Sequence, residues 1–397
     1  MKMKRQKIAI IMLGVLMIMS LSGCIKEEEE RLPSNQVPIK KEEVKKNAEE
    51  LKLGKIVPTA YAKVEGLKPE AGIYLSIIGR GERAPHWREI KAGAERAVSE
   101  LNELLGYEGK DKITVGFNGS DRLEDISGQI NLLDEELALY PKALAISMID
   151  ETSSMMQFDL AAESNIPIVT FESGSIYEGI AATCKTNNEE AAKKVATYIS
   201  ETLDEKAKVL ILARTSKSAA VREREEGFIK EIEANYPRIE IVYQYYADDL
   251  QEIRDILYPM TPMEETEGFE DEEIEEEEQP EITEEEAVAY LLEQNEDIDI
   301  IFAADEESLN WILDKKEELE VQAEIVGFGR GEKLIQALES GEIKGLLAEN
   351  PYAMGYAAVI ACIRAITDRG NEAVIHTGFE WITKESLENE EIRLIVQ

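Results

Sequence analysis

Basic residues are scarce in this chain. Lys and Arg together number 44 against 82 Asp and Glu, a net charge of -38. An acidic excess of that size repels phosphate, which excludes a nucleic-acid backbone as partner. It equally excludes a polybasic contact with an anionic membrane surface. Cysteine and histidine are scarcer still: Cys24, Cys184 and Cys362, with His86 and His376. No C-x-x-C occurs and the two histidines are far apart, so the spacing supports no zinc site and no metal is called for. A G-x-S-x-G elbow, a Walker A run and an ordered metal triad are also missing, which argues against an enzyme and against a cofactor. What is present is 397 residues, 44% of them apolar, enough for two compact domains and tails.

The first residues have the layout of an export signal. Lys2, Lys4, Arg5 and Lys7 form a basic start, and an apolar run follows from Ile8 to Met19. That run is too short for the ~20 residues of a membrane span and suits a signal peptide. Leu21-Ser22-Gly23-Cys24 comes next and resembles a bacterial lipobox. The Cys24 thiol would take the lipid, and the small residues before it would let a peptidase cut there. Residues 1–23 are therefore expected to be a lipoprotein signal peptide. Residues 24–70, rich in Lys and Glu, are expected to be a charged tether, with a transient helix around Lys40–Leu53.

From residue 71 the pattern changes to alternating strands and helices. Ala71–Gly79 is a short apolar run closed by glycine, and Pro85–Leu105 carries an apolar stripe at helical spacing. The alternation continues through strands at Lys112–Phe117, Lys142–Ser147, Ile166–Phe171, Ala207–Ala213, Ile239–Tyr246, Ile298–Ala303, Ala323–Phe328 and Ile343–Leu347. Helices are expected between them, among them Asn187–Leu203, Ala219–Asn235, Glu332–Ser340 and Pro351–Thr367. Such alternation predicts α/β architecture with parallel sheets covered on both faces. So many units need two sheets, hence two lobes. In open α/β sheets a ligand lies beyond the carboxyl ends of strands, so residues just after strands are the ones to inspect.

One stretch departs from the pattern. Fifteen acids and no base fall between Glu264 and Glu286. The run lacks the carboxylate and glycine order of an EF-hand. It cannot bury enough apolar surface to order itself, so residues 259–286 are expected to be a solvated surface insertion.

Six segments, in order, resemble one family, that of the ribose-type periplasmic binding proteins. Pro85–Glu95 (PHWREIKAGAE) resembles its first helix, Asn165–Ser173 (NIPIVTFES) a later strand, and Thr186–Ala191 (TNNEEA) a crossover. Ser218–Phe228 (SAAVREREEGF) resembles the family's SAARERxEGF helix start. Ile325–Gly329 (IVGFG) and Ala348–Gly355 (AENPYAMG) complete the set. The resemblance implies a type I clamshell: two doubly wound parallel-sheet lobes joined by three crossovers, near Thr183–Asn187, Glu349 and Gly378. Lobe 1 would comprise 71–185 and 350–378, and lobe 2 would comprise 186–349 and 379–397.

By the same resemblance the chain would hold a sugar or similar small polar ligand between the lobes. It would deliver that ligand to an ABC permease from the extracytoplasmic face of a bacterial membrane. The alternative is a receptor feeding a sensor kinase or chemoreceptor. A cytosolic repressor of related shape is excluded by the lipobox and by the lack of a basic helix-turn-helix head. Matched to the family's motifs, the ligand-binding residues are His86, Trp87, Glu172, Asn188, Arg224 and Glu349. Aromatic rings would cover the sugar's faces, and fixed polar groups its hydroxyl rim. Ala84, Ala304 and Gly329 stand where ribose binders carry polar side chains, and Arg330 is added, which argues against ribose itself. Cys184 and Cys362 both fall in the first lobe. They could pair only with Cα atoms within ~7 Å, and two buried free thiols are expected instead.

Overall fold

The computed structural model describes residues 36–120, 125–202, 206–250, 253–254, 282–295 and 297–396. The signal segment, Cys24 and the acidic run up to residue 281 lie outside the described residues. Two six-stranded sheets form the body. The first is ordered β11-β5-β4-β3-β1-β2 and the second β12-β10-β9-β8-β6-β7.

In the first sheet β1 (Tyr74–Gly79) lies between β2 (Thr114–Gly119) and β3 (Ala143–Ile146), followed by β4 (Ile168–Phe171), β5 (Ile180–Lys185) and the edge strand β11 (Val374–His376). The second sheet repeats this with β6 (Ala207–Ala213), β7 (Ile239–Tyr246), β8 (Ile300–Ala303), β9 (Glu324–Phe328), β10 (Gly345–Glu349) and β12 (Phe379–Ile382). Every pairing is parallel except that of β12, which runs antiparallel to β10 at the edge. All residues of β3, β4 and β8 are buried, as expected of strands covered on both faces.

The helices are α1 (Gln36–Leu53), α2 (Pro85–Leu105), α3 (Ile126–Ala138), α4 (Met155–Glu163), α5 (Asn188–Thr202) and α6 (Ala219–Asn235). They continue with α7 (Glu284–Gln294), α8 (Glu306–Lys316), α9 (Glu332–Ser340), α10 (Pro351–Ile366) and α11 (Glu390–Val396). Pro85 opens α2, where its missing N–H costs nothing, and Gly106 closes it in the left-handed conformation at φ 68°. α10 is buried along its length from Pro351 to Ile363. It meets α2 backbone to backbone. A Cβ on Gly93 would stand 1.9 Å from the Tyr352 carbonyl oxygen, and one on Gly355 would stand 1.8 Å from that of Ile90. This close approach gives a physical reason for the glycines in two of the quoted motifs.

The chain passes between the sheets three times: from β5 to α5, from β10 to α10, and from β11 to β12. Cys184 and Cys362 are buried free thiols, and burial pushes both up from the ordinary thiol range.

Two expectations need correction. Residues 45–70, read from composition as part of a tether, pack onto the body. Leu53, Ile56, Tyr61, Val64 and Leu67 are buried in the first lobe's core. Val57 pairs with His376 through two backbone hydrogen bonds, and Asn350 donates to the Lys52 carbonyl at 2.7 Å. The apolar residues are spaced too irregularly to show a period, because much of the segment is turn rather than helix. The end of the acidic insertion is also ordered. Thr283 caps α7 in a reciprocal pair with Glu286, so Glu284–Glu286 form a helical first turn.

Candidate ligand cleft between the lobes

The carboxyl ends of the two sheets face each other across a cavity of about 110 Å³. Five of the six residues singled out from sequence line it: His86, Trp87, Glu172, Arg224 and Glu349.

Arg224 comes from the first turns of α6 and is 4% exposed. Its Nε donates to Asn188 Oδ1 at 2.9 Å and its Nη1 to the Ala304 carbonyl at 3.0 Å. Nη2 stands 2.7 Å from Glu349 Oε1, a close ion contact whose N–H is not aligned as a hydrogen bond. The guanidinium lies 4.2 Å from the Phe328 ring centroid, which fixes its plane. Glu349 ends β10 and also accepts from Thr186 Oγ1 at 2.8 Å. Burial would raise its pKa, but the Arg224 guanidinium, His86 and the Thr186 hydroxyl outweigh that and hold it below the usual range.

Asn188 is placed differently from the other five. It sits behind Arg224, with Nδ2 donating to Glu223 at 3.0 Å, so both ends of its amide are engaged away from the cavity. It orients the arginine and does not line the cleft.

On the first lobe, Trp87 is 4% exposed and meets His86 edge to face at 4.9 Å. Burial lowers the His86 pKa against the pull of Glu349 and Glu172. Glu172 follows β4 with φ 58°, a left-handed conformation that costs a non-glycine residue on the order of 1 kcal/mol. Its carboxylate accepts from Arg80 Nη2 at 3.1 Å and from Ser147 Oγ. Across the cleft, Arg330 holds Glu89 of α2 with both terminal nitrogens, at 3.0 and 2.9 Å. Arg222 makes another interlobe ion pair, with Glu151 at 2.7 Å.

A model of the family described as periplasmic binding protein domain matches residues 76–371. The chain belongs to that family. The ribose import binding protein of Haemophilus influenzae is 23% identical over 303 residues, which is 76% of this chain and 88% of that protein. A carbohydrate transporter solute-binding protein from Agrobacterium radiobacter, solved with D-arabinose, matches with a TM-score of 0.64 at 22% identity, over 82% of this chain and 99% of that one. An ABC transporter solute-binding protein from Agrobacterium vitis with bound D-fucose matches with a TM-score of 0.65 at 17% identity, over 82% and 100%. At such identities the likeness is one of fold, and the fold is the type I clamshell.

Within that clamshell several further residues line the cleft that were not among the six singled out from sequence. Arg80 follows β1, Arg214 follows β6, Asp305, Glu306 and Glu307 follow β8, and Ser218 precedes α6. All but Ser218 stand just past a strand's carboxyl end, where the architecture alone directs attention. Asp305 is structural: it caps α8 by accepting from Ser308 N at 2.8 Å and takes Arg214 N at 2.6 Å. Glu306 takes the Arg330 backbone N–H at 3.2 Å, and burial with the neighbouring Glu307 pushes its pKa up to about 7.

Proposed function

We propose that this chain is the solute-binding component of an ABC importer, taking a sugar or similar small polar molecule into the interlobe cleft without transforming it. The observation that carries the reading is the cleft itself. The lobes face each other with a buried guanidinium, carboxylates and an aromatic wall, and not with apolar side chains packed shut. The ribose import protein and the D-arabinose and D-fucose complexes among its relatives supply the sugar class. Trp87 would cover an apolar sugar face while Arg224, Glu172 and Glu349 take hydroxyls. His86 would sit at the rim.

In this proposal residues 71–185 with 350–378 and residues 186–349 with 379–397 swing together over the ligand. Residues 1–23 are removed, and lipid on Cys24 holds the protein at the extracytoplasmic face of the membrane.

The test is a thermal-shift screen of the full chain in detergent against sugars, polyols, nucleosides and amino acids. One sugar or polyol is expected to raise Tm, and Arg224→Ala to abolish the rise. The Arg224→Ala/Glu349→Gln double variant serves where the single one is too unstable. A shift that survives both variants removes Arg224 from the site. Lipidation is checked by the mass of the mature N-terminal peptide, which a Cys24→Ser variant should leave unmodified.

A further inference from the structure

The cleft's charges do not balance, and the imbalance has a sign. Each cleft arginine faces a carboxylate: Arg80 faces Glu172, Arg214 faces Glu284, Arg224 faces Glu349 and Arg330 faces Glu89. Three lining carboxylates remain, and one of them, Asp305, is taken up by the Arg214 and Ser308 backbone N–H groups and the Ser308 hydroxyl. Glu306 receives a single backbone N–H, from Arg330, and Glu307 receives only its own backbone N–H, with Arg80 and Arg214 acting on it as nearby charges and no side chain among the described residues bonded to it. Glu306 and Glu307 are consecutive on the first turn of α8, and each disfavours the other's charge in a desolvated place. Burial raises the pKa of both. No group of three or more His, Cys, Asp or Glu among the described residues is arranged to hold a metal ion, so the missing positive charge has no metal site to supply it.

A second, separate feature marks the same wall. Ser218 is 1% exposed, lines the cavity, and its Oγ has no hydrogen-bond partner. Leaving a buried hydroxyl without a partner is unfavourable, and a ligand hydroxyl meeting Oγ would remove that cost.

We propose that the ligand is an amino sugar or a closely related polyhydroxylated amine, whose ammonium group is taken by Glu306 and Glu307 while one of its hydroxyls meets Ser218 Oγ. The inference rests on the sugar reading above and sharpens it. A neutral sugar would leave the two carboxylates repelling each other, and a sugar acid would add a third negative charge. An ammonium group supplies up to three donors and the missing charge together.

The experiment is calorimetric titration of the full chain with D-glucosamine and D-galactosamine, with their neutral parents D-glucose and D-galactose, and with D-glucuronate and D-galacturonate. Hydrogen bonds to charged groups at ~1.5–3 kcal/mol predict about a 10- to 100-fold preference for an amino sugar over its neutral parent. Glu306→Gln/Glu307→Gln should remove most of that preference, read as the ratio of the amino sugar's affinity to that of its neutral parent. Ser218→Ala should weaken amino and neutral sugars alike, by about 2- to 10-fold. A neutral sugar binding as tightly as its amino counterpart overturns the inference and leaves the sugar reading intact. So does a uronate binding more tightly. Failure of all six to bind removes the sugar reading for these hexoses and this inference with it.

Discussion

Removing the Arg224 guanidinium should cost far more stability than an ordinary surface arginine, and the cost should depend on pH. The side chain is 4% exposed and donates to Asn188 and Ala304 while contacting Glu349 at 2.7 Å. Arg224→Ala deletes two charge-assisted hydrogen bonds and leaves Glu349 buried with the Thr186 hydroxyl as its remaining close polar partner. Breaking a buried pair from one side costs about 3–5 kcal/mol, most of it the uncompensated charge.

Glu349 can relieve that cost by taking a proton. Burial is the largest influence on its carboxyl, and Arg224 is the main one opposing it. Without Arg224 its folded pKa should rise above the ordinary value. The folded state then holds a proton that the unfolded state releases, so stability falls as pH rises from the ordinary glutamate range. Urea unfolding at pH 5.5 and pH 8 should show the larger loss at pH 8, read from the midpoint at constant m. Adding Glu349→Gln to Arg224→Ala should restore at least ~1.5 kcal/mol at pH 8, because the stranded charge is gone. Additivity of the single variants within ~0.5 kcal/mol, with no dependence on pH, would refute the pairing as the source of the loss.

Two further outcomes follow from the same structure. Glu306 has its folded pKa raised to about 7, so it destabilises the ligand-free protein progressively between pH 4.5 and 7. Glu306→Gln should remove up to about 3 kcal/mol of that fall, seen as a flatter profile of unfolding midpoint against pH; an unchanged profile would show that the carboxyl titrates normally. Gly93→Ala places a methyl group 1.9 Å from the Tyr352 carbonyl oxygen and must push α2 off α10. It should cost about 1–3 kcal/mol or more in chemical denaturation, whereas Gly54→Ala, whose Cβ would meet nothing closer than 3.4 Å, should change stability little.

The elements that carry the lobes were legible because their patterns are long. α2, α6 and α9 fall on the expected residues, and α10 ends within one residue of expectation. β5, β11 and β12 went unread. Ile180–Lys185 has few large apolar residues, and β11 and β12 are three- and four-residue edge strands too short to show a period. The segment at 45–70 was hidden by its charge: its buried residues are separated by lysines and glutamates, most of which stay in solvent. In the cleft, residues matched to motifs were found, while Arg80, Arg214, Glu306 and Glu307 were not. In a chain with 32% charged residues, one more arginine or glutamate reads as surface. Only its position just past a strand distinguishes it. Asn188 shows the converse, since a motif match places a residue near a site without deciding whether it touches the ligand.

The protein's overall charge and the cleft's local charge act over different ranges. Much of the net -38 lies in the acidic run between Glu264 and Glu286, and at physiological salt its field decays over a Debye length of about 8 Å. It can speed the arrival of cations at the cleft mouth, an effect that salt weakens. It cannot choose between an amino sugar and its neutral parent once the lobes have closed. In the proposal above that choice rests with Glu306 and Glu307, both partly buried in the cleft, where mobile ions screen less. Raising salt should therefore slow the association of an amine far more than it speeds its dissociation. If salt instead weakened binding mainly through faster dissociation, the charge that selects the ligand would have to lie in solvent, outside the closed cleft.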